Sequence, residues 1–230
     1  MLEVAALNQF YGESHTLWDV ALDVPQGHCV CVMGRNGVGK TTLLKSIMGL
    51  LPTRAGTVRL DNTPIGNMRA EDRVRAGLGY VPQGREIFGQ LTVEENLRVG
   101  LAARGGDQRI PEKIFKWFPV LKTMLHRRGG DLSGGQQQQL AFGRALATSP
   151  KVILLDEPTE GIQPNIVQLI GDIVQMLREE ENMTVLLVEQ KLPFARRMAQ
   201  RFCILDKGRT VAAGPMGELS DALVSEYLTV

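Results

Sequence analysis

The sequence predicts an α/β protein with a largely parallel central sheet and a block of helices inserted into it. Three observations lead there. Short β-rich segments alternate with amphipathic helical ones. A glycine-rich turn lies between a buried strand and a helix, and a long stretch of helical character separates the early strands from the late ones.

Val30–Met33 reads as a buried strand, followed by the glycine-rich turn and a helix from about Lys40 to Met48. Thr57–Leu60 and Leu78–Val81 read as further strands. From about Thr92 to Ser149 the pattern is mostly helical, broken by Gly105-Gly106, Pro111, Pro119 and Gly129-Gly130, residues that end helices through backbone freedom or a missing N–H donor. Sheet character returns at Lys151–Asp156, Thr184–Glu189 and Phe202–Leu205, with helices after Pro164 and after Gln190. There is no internal repeat, and the Gln136–Gln139 run is too short to be a disordered tract; it reads as a helix surface facing a partner or solvent.

Of 230 residues, 43% are hydrophobic and 22% charged, ordinary globular usage that excludes intrinsic disorder. Lys plus Arg number 26 against 25 for Asp plus Glu, a net charge of +1 without the cation surplus that a nucleic-acid binder uses to displace counterions. The longest apolar cores, such as Val152–Leu155 and Val185–Val188, fall far short of the ~18 residues a membrane span needs. No basic region followed by a long apolar stretch marks a secretory signal. The three cysteines, Cys29, Cys31 and Cys203, lie in apolar segments and read as buried thiols in a reduced cytosolic compartment. His15, His28 and His126 show no metal-ligand spacing. Trp18 and His28 read as packing residues, and Arg127-Arg128 as a solvated turn.

The segment Gly34-Arg35-Asn36-Gly37-Val38-Gly39-Lys40-Thr41-Thr42 matches G-x-x-x-x-G-K-[ST] after a strand and before a helix, where the mechanism requires it. Its glycines let backbone N–H groups point at a phosphate, and the helix start adds partial positive charge. Lys40 is placed to reach β- and γ-phosphates, and the Thr41 hydroxyl to ligate Mg²⁺. Val152-Ile-Leu-Leu-Asp156-Glu157-Pro158 is an apolar strand ending in two acids, which in a parallel sheet should open toward that loop. Adjacent strand residues point oppositely, so the two divide the work: Asp156 on the Mg²⁺ side through a bound water, Glu157 orienting and deprotonating the attacking water. Leu132-Ser133-Gly134-Gly135-Gln136 opens a helix and forms a second anion cradle, suited to a nucleotide held mainly by another subunit.

With these motifs in this order, the chain resembles the ATP-binding cassette (ABC) ATPases over essentially its whole length. The resemblance implies a P-loop NTPase (RecA-like) core with an N-terminal antiparallel β subdomain. It implies one domain over 1–230, with 1–82 and 151–230 as the nucleotide-binding core and 83–150 as a helical insertion. It places Tyr11 against adenine and makes Gln83 a Mg²⁺ contact that links core to insertion. It further implies ATP and Mg²⁺ as ligands, a head-to-tail ATPase dimer, membrane permease subunits docked on the insertion, an external solute-binding protein, and a place on the cytoplasmic face of the inner membrane.

Two positions depart from the family pattern. Gln163 stands where an aspartate is usual and Gln190 where a histidine is usual, which suggests a non-identical ATPase partner that keeps the histidine. Both departures, with Tyr11–Trp18, Leu125–Asp131 and Asp156–Pro164, are most similar to the ATP-binding subunit of urea-type importers, with branched-chain amino-acid importers as the alternative. A non-transport ABC ATPase usually brings two cassettes or basic extensions. A non-hydrolysing module leaves Glu157 without a task. A GTPase or small-molecule kinase leaves Ser133–Gln136 unexplained.

Overall fold

The computed structural model describes residues 1–104 and 109–229. Two sheets carry the fold. The larger is built on β3 (Cys29–Met33), whose neighbours are β8 (Thr184–Val188) on one side and β9 (Arg201–Asp206) on the other. Next to β8 comes β7 (Val152–Asp156) and then β6 (Leu78–Val81); all of these pair in parallel, and β10 (Arg209–Pro215) closes the far edge antiparallel to β9. Parallel strands covered on both faces read as unbroken apolar runs, and these do. Cys29, Cys31, Ile153, Leu155, Val185 and Leu187 enter one core, while Val30, Val32, Val152, Leu154, Leu186 and Val188 enter the other.

The second core is shared with the smaller antiparallel sheet, made of β1 (Leu2–Tyr11), β2 (Ser14–Val24), β4 (Thr53–Leu60) and the short β5 (Thr63–Pro64) in the order β2-β1-β4-β5. Helix α1 (Lys40–Met48) buries Leu43, Leu44 and Ile47 in the same core. Its C-terminal carbonyls are tied by Arg73 of α2 (Ala70–Ala76), a buried guanidinium that donates to Ser46 O, Ile47 O, Gly66 O and Met68 O at 2.7–3.1 Å. A cation at a helix C-terminus is favourable twice over, satisfying orphan carbonyls and opposing the helix dipole.

Between the adjacent strands β6 and β7 the chain makes α3 (Val93–Arg104), α4 (Glu112–Trp117), α5 (Pro119–Thr123) and α6 (Gly134–Ala147). Leu97, Ile114, Phe118, Leu121 and Phe142 join these helices to the first core. Pro111 caps α4 and Pro119 opens α5, while Gly129-Gly130 lies in a 3₁₀ turn; the expected break at Gly105-Gly106 falls outside the described residues. Helices α7 (Pro164–Glu181), α8 (Leu192–Met198) and α9 (Asp221–Tyr227) complete the chain.

Several sequence expectations need correction. The strand expected at Thr57–Leu60 begins at Thr53 and belongs to the antiparallel sheet. Gln138 and Gln139 are buried, so half of the glutamine run faces inward. His28 is exposed rather than packed. Trp18 is also partly exposed and lies in a column in which Arg54, Phe10, His15, Trp18 and Arg209 stack in turn.

Candidate nucleotide site

The phosphate loop leaves β3 at Gly34, whose φ of 148° and close approach to the Leu205 carbonyl leave no room for a Cβ: one placed there meets Leu205 O at 2.2 Å. The loop ends at Gly39, a left-handed residue that caps α1. Lys40 begins that helix with only 5% of its surface exposed, and its ammonium donates to Gly34 O and Arg35 O, both at 2.8 Å. The loop is thus folded around its own lysine. Burial lowers the Lys40 pKa, opposed by the Glu157 and Asp156 carboxylates. Glu157 Oε1 lies 3.8 Å from the ammonium.

The two acids do part, though not by strand alternation: β7 ends at Asp156 and the backbone turns at Glu157. Asp156, fully buried, accepts from the Thr41 hydroxyl at 3.1 Å and from the Tyr80 hydroxyl at 3.2 Å. Burial pushes its pKa up, and those two hydrogen bonds oppose the shift. Tyr80 is pushed up in turn by burial and by the neighbouring Asp156 charge. Glu157 has left the strand with φ of 47° and faces the other way. Its carboxylate accepts from Gln190 Nε2 at 2.5 Å and Gln83 Nε2 at 3.3 Å.

Gln190 also donates to Asn36 Oδ1 at 2.7 Å. Since Glu157 can only accept, the amide nitrogen must face it, and both amide hydrogens are engaged. Gln83 donates to Glu160 Oε2 at 2.9 Å as well; its oxygen, the atom able to ligate a cation, takes no part in these bonds. A cavity of about 320 Å³ is lined by Tyr11, Thr16, Asn36, Gly37, Gly39, Lys40, Thr41, Thr42, Gln83 and Glu157. Tyr11 stands half exposed at its rim with its hydroxyl 3.5 Å from Thr42 Oγ1. Val38 is half-buried, and its carbonyl accepts from Gly208 N. Arg35 Nη2 reaches Glu226 O at 3.2 Å.

Ser133 does not line this cavity. It caps α6 in a reciprocal box: its Oγ accepts from Gln136 N at 3.4 Å, and Gln136 Oε1 accepts from Ser133 N at 2.9 Å. The Ser133 hydroxyl hydrogen is therefore not used by the cap and can serve an anion. Gly135 is required by packing, since a Cβ there meets Ile166 Cγ1 at 2.8 Å, and the Arg85 guanidinium lies against Gly134. Gln163 caps α7 without a side-chain bond.

Sequence reasoning missed Tyr80, Glu160 and the Asn36–Gln190 contact. Tyr80 lies in the expected strand Leu78–Val81, and only the β6–β7 pairing shows that it reaches Asp156.

A family model described as ABC transporter matches residues 17–160. The chain belongs to that family. It is an ATP-binding cassette whose ATP hydrolysis is coupled to transport. The cassette is 39% identical to a high-affinity branched-chain amino acid transport ATP-binding protein of Pseudomonas aeruginosa, covering 92% of this chain and 91% of the relative. It is 37% identical to a probable branched-chain amino acid transport ATP-binding protein of Archaeoglobus fulgidus, covering 95% and 94%. Among solved structures it resembles a nucleotide-free cassette from an ABC transporter, with TM-score 0.85, 28% identity and coverage of 98% and 97%. It also resembles a dimeric post-hydrolysis cassette bound to ADP and Pi, with TM-score 0.85, 27% identity and coverage of 94% and 99%. Among the described residues, no helix is long and apolar enough to cross a membrane.

Proposed function

We propose that this cassette binds Mg-ATP in the cavity around Lys40 and energises import of branched-chain amino acids. The observation that supports it most is Glu157, held between Lys40 and Gln190 at the edge of a cavity floored by the phosphate loop. Gly34–Thr42 cradle the phosphates, with Lys40 exchanging its bonds to Gly34 O and Arg35 O for phosphate oxygens, and Tyr11 offers its ring to the base. Glu157 takes a proton from the water that attacks the γ-phosphorus, and the bond to the bridging oxygen of ADP breaks.

Among the described residues no cluster of three His, Cys, Asp or Glu could hold a metal. Thr41 Oγ1, Asp156 and the Gln83 oxygen nonetheless suit a small hard cation that keeps water and phosphate oxygens in its shell. Mg²⁺ would supply charge neutralisation between the phosphates. Ser133, Gly134, Gly135 and Gln136 serve the nucleotide of a second cassette in a head-to-tail dimer. With Gln163 and Gln190 in place of acid and imidazole, that partner is a non-identical ATPase. The helical run, with expected bounds 83–150, docks on membrane permeases at the cytoplasmic face, and a solute-binding protein delivers the cargo.

The relatives above name branched-chain amino acids, so the urea expectation is given up for its alternative. Phosphate release from the purified chain should be slow and should vanish in Lys40→Ala and Glu157→Gln. Glu157→Gln should form an ATP-dependent dimer, alone or with the partner ATPase. Cells lacking this chain should lose uptake of labelled leucine and keep that of urea. Hydrolysis that survives Lys40→Ala would refute the site, and unchanged leucine uptake would refute the solute.

A further inference from the structure

Glu189, the residue after β8, is 2% exposed, yet it carries a carboxylate. Burying one is costly unless its oxygens are fully bonded. Here Oε2 accepts from the Thr159 hydroxyl at 2.7 Å, and Oε1 accepts from the backbone N–H groups of Gln190 at 2.8 Å and Lys191 at 2.9 Å. Lys191 reaches back in the opposite sense, its ammonium donating to the Thr159 carbonyl at 2.9 Å. Thr159 is itself fully buried. Its hydroxyl and its carbonyl are therefore held by the two residues that flank Gln190. In front of this clasp, Gln190 meets Glu157, which precedes Thr159 by two residues.

We propose that Glu189 is a positioning residue, clasping the loop after β7 to the loop after β8 through Thr159 so that Glu157 and Gln190 move as one unit. An apolar residue would fill the site at lower desolvation cost but could not cross-link the loops. The clasp rests on the reading of Glu157 as the base. It adds that the base's alignment is set from behind, by groups that touch neither nucleotide nor water.

The test uses the purified full chain at saturating Mg-ATP, with Thr159→Val, Thr159→Ser, Glu189→Gln and the Thr159→Val/Glu189→Gln double variant. Thr159→Val keeps the shape and deletes the donor. Its kcat should fall about tenfold, a 1.4 kcal/mol loss in transition-state terms, while KM for ATP and binding of a fluorescent ATP analogue stay within twofold. Thr159→Ser should recover most of the loss, and the double variant should be no slower than the slower single one, because both substitutions act on the same Thr159–Glu189 contact. Wild-type kcat in Thr159→Val overturns the proposal, as does loss of nucleotide binding in step with turnover or full additivity in the double variant. Lys40→Ala run in parallel separates the failures. If it still hydrolyses, the site reading is wrong; if it is dead while Thr159→Val is fast, only the clasp is wrong.

Discussion

Gln190 makes the sharpest test of the site. Its amide nitrogen bonds the Glu157 carboxylate and the Asn36 side chain. A hydrogen bond to a charged group is worth about 1.5–3 kcal/mol, and one to a neutral group about 0.5–1.5 kcal/mol. If Gln190→Ala frees Glu157 to leave its place beside the attacking water, about 2 kcal/mol of the larger share is lost from the transition state, a roughly 30-fold drop in kcat. Gln190→His should move the other way, because an imidazolium adds a charge-assisted donor toward the γ-phosphate that a neutral amide lacks. Its rate should also gain a pH dependence near the histidine range of about 6.5, falling as the ring deprotonates, while the parent shows no such inflection from this position. Phosphate release at saturating Mg-ATP between pH 5.5 and 8.5 reads all three proteins, with the buffer range set by that same histidine pKa. Gln190→Ala turning over at the parent rate, or Gln190→His without any gain, would refute the reasoning.

Other outcomes follow from the same geometry. Arg73→Met strips the guanidinium from the Ile47, Gly66 and Met68 carbonyls and should cost about 3–5 kcal/mol, at about 1–3 kcal/mol for each acceptor left without a partner, seen as a melting temperature lower by roughly 10 °C. Asp156→Asn should be inactive yet more heat-stable at pH 7. The folded pKa of Asp156 lies above 3.8, so its ionisation penalises the fold as pH rises through that raised value. The gain should disappear once pH falls below 3.8, where both states are protonated. Cys29 and Cys203, buried and pushed up to about 12 and about 11, should resist a thiol reagent at pH 8 in the native chain, as should Cys31, and all three should react on unfolding.

The sequence announced some parts of this molecule and concealed others for physical reasons. Helix α1 and strands β7 and β8 were legible to within a residue, because a glycine-rich turn, a terminal acid and unbroken apolar runs mark their limits. Strands β1 and β2 were visible only through family resemblance. Register shifts between Val4 and Leu7 and left-handed residues at Ala6 and Asp19 interrupt the period-two pattern. Helix α2 buries only Arg73, so it has no apolar stripe to read. Glu157 and Lys40 were found from motifs, whereas the Asn36–Gln190 bond spans 154 positions that no local pattern connects. Glu189 was legible only as the last residue of the expected strand Thr184–Glu189, because only the fold brings Thr159 to its carboxylate.

The order of strands in the larger sheet has a last consequence. Val32, Val188 and Asp156 are level in register, with β8 seated between β3 and β7. At about 4.8 Å between neighbours, the three strand tips stand abreast over roughly 10 Å. In the proposed site each tip leads to one group facing the phosphates, and the loop after the middle strand carries residue 190. A change at residue 190 exchanges the group seated at this middle tip and leaves the two flanking strands as they are.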